Sequence, residues 1–129
     1  MMELENNAYF WQKIDILLLS SDIIINRKKD STHPVYNNLV YPVDYGYLKD
    51  TMLDTKEHIA IYRGSKKSLT VEAVVVCIDI LKKDMEVKLL AGCTEKEELS
   101  ILEFLNQTDF QKSIIVRRGH NIPKWASTN

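Results

Sequence analysis

The segment Tyr41-Pro-Val-Asp-Tyr-Gly-Tyr47 constrains what this chain can fold into more than any other stretch. Pro42 has no amide hydrogen for a ladder, and Gly46 reaches backbone angles closed to other residues. The spacing therefore predicts a bent, irregular segment rather than a central strand. Upstream, Asp22 to Arg27 carries the β-branched run Ile23-Ile24-Ile25 and reads as a strand. Lys28 to Pro34 is a polar loop closed by proline, and Leu39 to Tyr41 reads as a second short strand.

Downstream, His58 to Tyr62 alternates as a short strand, and Leu69 to Leu81 is a long β-rich run. Lys82-Lys-Asp-Met85 makes a hairpin into a strand over Glu86 to Ala91, which Gly92 ends. Thr94 and Glu97 form a capping box ahead of a helix from Glu95 to Asn106, with Leu99, Ile101, Leu102 and Leu105 at helical spacing. Near the start, Asn7 caps a helix whose face carries Phe10, Trp11, Ile14, Leu17 and Leu18. Ile114-Ile-Val116 reads as a last strand, with a helical turn as the alternative. Short strands joined by hairpins, with a helix at each end, predict an α+β domain on a small, highly curved sheet or barrel.

The 129 residues, 45% of them hydrophobic, suit one domain over 1–129 that needs no disulfide or structural metal. Within it we expect a helical segment over about 7–20, a core over about 22–118 and a loose tail over 119–129. A formal net charge of −1 gives no broad positive field, which argues against a nucleic-acid partner. Met1 to Asn7 is acidic and polar, without the basic start of a secretory signal, and no apolar run reaches membrane-spanning length. A cytoplasmic location away from membranes is expected. Cys77 and Cys93 lack the paired spacing of a zinc or redox motif and read as reduced core thiols. Arg117 and Arg118 read as a solvated charge pair, and His33, His58 and His120 have no metal-ligand spacing.

The stretch from His33-Pro through Tyr41-Pro-Val-Asp-Tyr-Gly-Tyr47 resembles the signature of soluble inorganic pyrophosphatases. The likeness runs by order and spacing from about Ile23 to Arg118, and its most specific part is Tyr41 to Tyr47. It implies a pyrophosphatase-type fold, a five-stranded OB-like β-barrel with flanking helices. It also implies a site that holds several Mg²⁺ ions on carboxylates, with lysines and tyrosines on the phosphates. Tyr45 matches the tyrosine that points at phosphate, Lys29 matches a phosphate-binding lysine, and Glu86 with Lys88 matches an Asp-x-Lys pair after an acidic hairpin. Lys112 falls near a C-terminal Tyr-Lys, where Phe110 lacks the hydroxyl.

At other positions the chain departs from the family pattern. Aligned on Gly64-Ser65, the family's aspartate cluster falls on Thr55, Glu57 and Ala60, and a slip of one residue substitutes Asp54 at the first place and Ile59 at the last. Asn26 stands where an acidic residue is expected, and Thr32 stands where an arginine precedes His-Pro. Two readings stay open. One is a relative impaired or inactive in hydrolysis, which keeps a cationic pocket for pyrophosphate or another small phosphate anion and needs no cofactor. The other is a working Mg²⁺-dependent diphosphatase that uses Asp54 or Glu57, Asp84 and Glu86 on metal and Lys29, Tyr45, Lys88 and Lys112 on phosphate. A homo-oligomer is compatible with both.

Overall fold

A computed structural model describes residues 6–53 and 56–119. In chain order its elements are α1 (Ala8–Leu19), β1 (Ile23–Arg27), β2 (Asp44–Leu48), β3 (Ala60–Arg63), β4 (Val71–Asp79), β5 (Asp84–Ala91), α2 (Glu95–Leu105) and β6 (Gln111–Arg117). The strands form one six-stranded mixed sheet in the order β1-β2-β3-β5-β4-β6. Neighbours run antiparallel except β3 and β5, which run parallel.

Strand β4 shows why the sheet lies between two layers. It is apolar at consecutive positions, as a strand covered on both faces must be. Ala73, Val75 and Cys77 pack with Tyr62, Leu90 and the α2 residues Ile101, Phe104 and Leu105. Val71 and Val74 pack on the other face with Ile61, Leu89 and the α1 residues Trp11 and Leu18. Each face thus has its own core and its own helix. The α+β class holds, but the sheet has six strands rather than five, and closure into a barrel is not observed. Its end strands, β1 and β6, are not paired with each other among the described residues.

The segment expected to be irregular is bent only over residues 41–43; from Asp44 on it is strand β2, second in the sheet. Pro42 lies just outside it, so no ladder bond is lost. Gly46 serves through its missing side chain and not through special angles: a Cβ there would run into the carbonyl oxygen of Ile24 on β1. Leu39–Tyr41 forms no strand and contributes only the bridge Thr32–Val40. The hairpin turn falls over 80–83 rather than 82–85, because the Asp79 carboxylate accepts the amides of Leu81 and Lys82 at 2.9 Å and ends β4 early.

Both helix caps form as expected. Asn7 Oδ1 accepts the Phe10 amide at 3.1 Å, and Thr94 and Glu97 bond reciprocally at 2.8 and 3.1 Å. The buried stripes are shifted from those read off the pattern. Phe10 and Leu99 are exposed, whereas Glu98 is buried and paired with Arg117 at 3.2 Å. Residues 114–116 are strand, which settles the helical alternative. Cys77 and Cys93 are buried thiols, and burial pushes Cys93 up to about 12. No helix among the described residues is long and apolar enough to cross a membrane. Asp54, Thr55, His120 and the tail beyond Gly119 lie outside the described residues.

Arg117 and Arg118 are not a free charge pair. Arg118 joins the two ends of the fold: its guanidinium bonds Asp15 of α1 at 2.7 Å and the Val71 carbonyl of β4 at 2.8 Å, and lies 5.4 Å from the Trp11 ring centroid. Replacing it takes the guanidinium from the Val71 carbonyl, leaves Asp15 only the Val71 amide at 3.3 Å, and removes the lid on a fully buried indole. Arg118→Ala is expected to lower the unfolding free energy by about 2 kcal/mol in urea titrations. A loss within about 0.5 kcal/mol would mean that α1 is held by its apolar face alone.

Candidate functional site

Alternation along β2, β3 and β5 brings Tyr45, Tyr47, Ala60, Tyr62, Glu86 and Lys88 to the α2 side of the sheet. There they floor a cavity of about 490 Å³. Tyr45 lies opposite Tyr62, and Tyr47 opposite Ala60. Ile61 pairs with Leu89 in the parallel ladder, so one step back along both strands sets Ala60 beside Lys88. The small Ala60 side chain leaves open space next to the lysine. The segment carrying His33, Tyr36, Leu39 and Tyr41, then Phe104, Leu105, Thr108, Phe110 and Gln111, and finally Leu53, Glu57 and His58 supply the walls.

Lys88 is the electrostatic centre. Its ammonium donates to Tyr45 Oη at 3.2 Å and lies 3.7 Å from the Glu86 carboxylate. It also sits 5.1 Å from the Tyr45 ring centroid and 6.0 Å from that of Tyr62. Burial pulls its pKa down, but Tyr62, Tyr45, Cys77 and Glu86 more than offset that, so the pKa stays above the ordinary lysine value and the charge is kept. Burial raises the pKa of Tyr62 and of Tyr41, which keeps both phenols neutral. Tyr45 accepts from Lys88, which leaves its own hydroxyl proton for another partner.

Several residues singled out by the sequence come together here. Asn26, Tyr45, Glu57, Ala60, Glu86 and Lys88 all line the cavity. Asn26 does so because β1 is irregular between Ile25 and Arg27, which makes it the extra residue of a bulge. Other residues are not brought in. Lys29 is exposed, and its amide is bound by Asp44 at 2.9 Å. Lys112 is exposed on β6, with its ammonium on the Asn106 carbonyl at 3.2 Å. Thr32 is engaged in its bridge to Val40; Asp84 is off the main lining but shares a smaller adjoining hollow with Lys82, Glu86 and Lys88.

The donor set bears directly on magnesium. Among the described residues, no three His, Cys, Asp or Glu side chains gather into a group that could hold a metal ion. The cavity carboxylates are Glu57, which is exposed, and Glu86, which Lys88 engages. The described donors therefore do not fit a multi-magnesium centre.

Aromatic lining is what the sequence left unread. Ring centroids run from Tyr62 to Tyr45 at 4.7 Å, on to Tyr41 at 5.5 Å and to His33 at 6.2 Å, then to Tyr36 at 5.2 Å and Phe110 at 5.7 Å. On the other side His58 stacks on Tyr47 at 4.8 Å. The histidines could have been flagged by their aromatic neighbours in sequence, but a contact between Tyr36 and Phe110 has no local signal.

No protein-family profile matches the chain, and no curated protein matches it. Among solved structures, the inorganic phosphatase from Anaplasma phagocytophilum is similar over 74% of this chain and 81% of that one. The sequence identity is 12% and the TM-score 0.52, so the likeness is one of fold alone.

His33 carries the pH response of the cavity wall. Its Nδ1 accepts the amides of Val35 and Tyr36 at 3.1 and 3.2 Å. Burial, then Arg27, Lys82 and Lys88, lower its pKa below the ordinary 6.5. A depressed imidazole contributes stability that is full above the unfolded pKa and is lost as pH falls through the folded one. Between about pH 7 and about pH 5 the melting temperature is expected to fall more steeply for the native chain than for His33→Asn, whose Oδ1 can accept the same amides without titrating. Equal slopes in a thermal-denaturation series would exclude this role.

Proposed function

We propose that the protein binds a small phosphate-bearing anion at Lys88 and Tyr45, on a pyrophosphatase-like scaffold, without metal-dependent hydrolysis. The observation that carries this reading is the Lys88 ammonium, held in the cavity floor on a side chain only 14% exposed and offset by Glu86 at a loose 3.7 Å. A desolvated cation with an incomplete set of acceptors favours an incoming oxyanion, since charge-assisted hydrogen bonds are strong there. Tyr45 supplies a second donor beside it. Lys82, also on the cavity lining, adds positive charge nearer solvent.

Two independent likenesses support the scaffold half of the reading. The Tyr41 to Tyr47 stretch resembles the pyrophosphatase signature, and the fold resembles that of an inorganic phosphatase. Neutral Asn26 and Ala60 on the lining support the non-hydrolytic half, because hard divalent ions need gathered carboxylates.

Calorimetry with inorganic phosphate and pyrophosphate in the presence of a chelator tests binding, and phosphate release across Mg²⁺, Mn²⁺ and Co²⁺ tests catalysis. The expected outcome is metal-independent binding without turnover. Lys88→Met is expected to weaken that binding by about 2 kcal/mol or more while the chain stays folded, since a matched apolar side chain can replace a buried charge. Metal-dependent turnover abolished by Lys88→Ala would instead establish a working diphosphatase.

A further inference from the structure

The cavity is larger and more aromatic than a free phosphate or diphosphate requires. At about 490 Å³ it falls among pockets that enclose whole organic ligands, which run from roughly 300 to 1,000 Å³. A bare diphosphate would occupy only the part next to Lys88. Much of the remaining wall is aromatic, and ring faces offer an inorganic anion little.

Those rings are also not simply core. Tyr36 is 38% exposed, and Tyr47 and Phe110 are partly exposed, although each lines the cavity. Aromatic surface left open beside a concave site is unfavourable in water and becomes favourable once a flat partner covers it. Polar groups that can read the edge of a heterocycle lie on the same lining: the Asn26 amide, the Glu57 carboxylate, Thr108 and the Gln111 amide. The charges point the same way. Lys82 and Lys88 on the lining are matched by Glu57 and Glu86, which leaves Arg27, beside His33 and Tyr41, as the excess positive charge, a small one for a highly charged free diphosphate. The cavity suits a phosphate monoester, whose smaller charge Lys88 can take directly.

From these features we infer that the natural ligand is a nucleoside monophosphate, with its phosphate on Lys88 and Tyr45 and its base stacked on the Tyr36 and Phe110 rings. This rests on the anion-binding reading of the cavity given above and adds the chemistry of the rest of the ligand. The observations it joins are the ring series from Tyr45 out to Phe110 and the single deep ammonium at its inner end.

The test is calorimetry on the full chain with inorganic phosphate, adenosine, and the 5′-monophosphates of adenosine, guanosine, cytidine and uridine. At least one monophosphate should bind about tenfold or more tighter than either phosphate or adenosine, the range expected for one base on an aromatic platform. Phe110→Leu and Tyr36→Ala should each lose most of that gain and leave phosphate affinity unchanged, whereas Phe110→Tyr should retain it. Lys88→Met should weaken both phosphate and monophosphate. Unchanged near-ultraviolet circular dichroism outside the substituted ring shows that the variants are folded. Should every monophosphate bind no tighter than phosphate, the anion site stands and this inference falls. Should neither bind, both fall. Tight monophosphate binding indifferent to Phe110→Leu and Tyr36→Ala would also overturn the inference, by placing the base elsewhere.

Discussion

A protonated amine held inside a floor of tyrosines sets the terms for everything around it. Removing an ammonium from water is strongly unfavourable unless its protons find partners. Here the partners are one phenol oxygen, two ring faces and a carboxylate at the limit of ion-pair distance. Each makes a demand on the fold. Tyr45 and Tyr62 must lie side by side, which requires the β2–β3 register, and Lys88 must lie next to them, which requires β5 against β3. Burial in turn keeps Tyr62 neutral, so the floor presents polarised rings and not a competing anion.

The strands and helices were legible where the pattern was local. The β-branched runs, the Asn7 cap and the Thr94–Glu97 box need only neighbours in sequence, and all formed. What escaped was set by distant parts of the chain. Gly46 suggests a turn when read alone, but in the sheet it is the point where β1 presses on β2, a contact made by Ile24. Arg117 and Arg118 look solvated until β6 carries them past Glu98 and α1. Closure of the sheet depends on what covers each face, and a helix on either side leaves the two faces separate.

The site was legible in the same uneven way. Tyr45, Glu86 and Lys88 line one cavity because strand alternation puts them on one face, and the bulge at Asn26 adds a residue noted for its neutrality. Lys29 and Lys112 were matched by order along the chain, which says nothing of where a flexible side chain ends up. The aromatic wall joins Tyr36 to Phe110, residues from opposite halves of the sequence, and only the fold reveals it.

The parallel contact between β3 and β5 divides the sheet into a first antiparallel half, β1-β2-β3, and a second, β5-β4-β6. The seam is no more costly to close than the pairings on either side of it: Ile61 and Leu89 are 28 residues apart, against 25 for Ile23 and Leu48 in β1–β2 and 40 for Val75 and Ile115 in β4–β6. The floor of the cavity straddles that seam, with its tyrosines on one side and its ammonium on the other. Neither half contains the whole floor by itself. Occupancy of the cavity therefore requires that the halves have docked, and any occupant would act as a clasp across that joint.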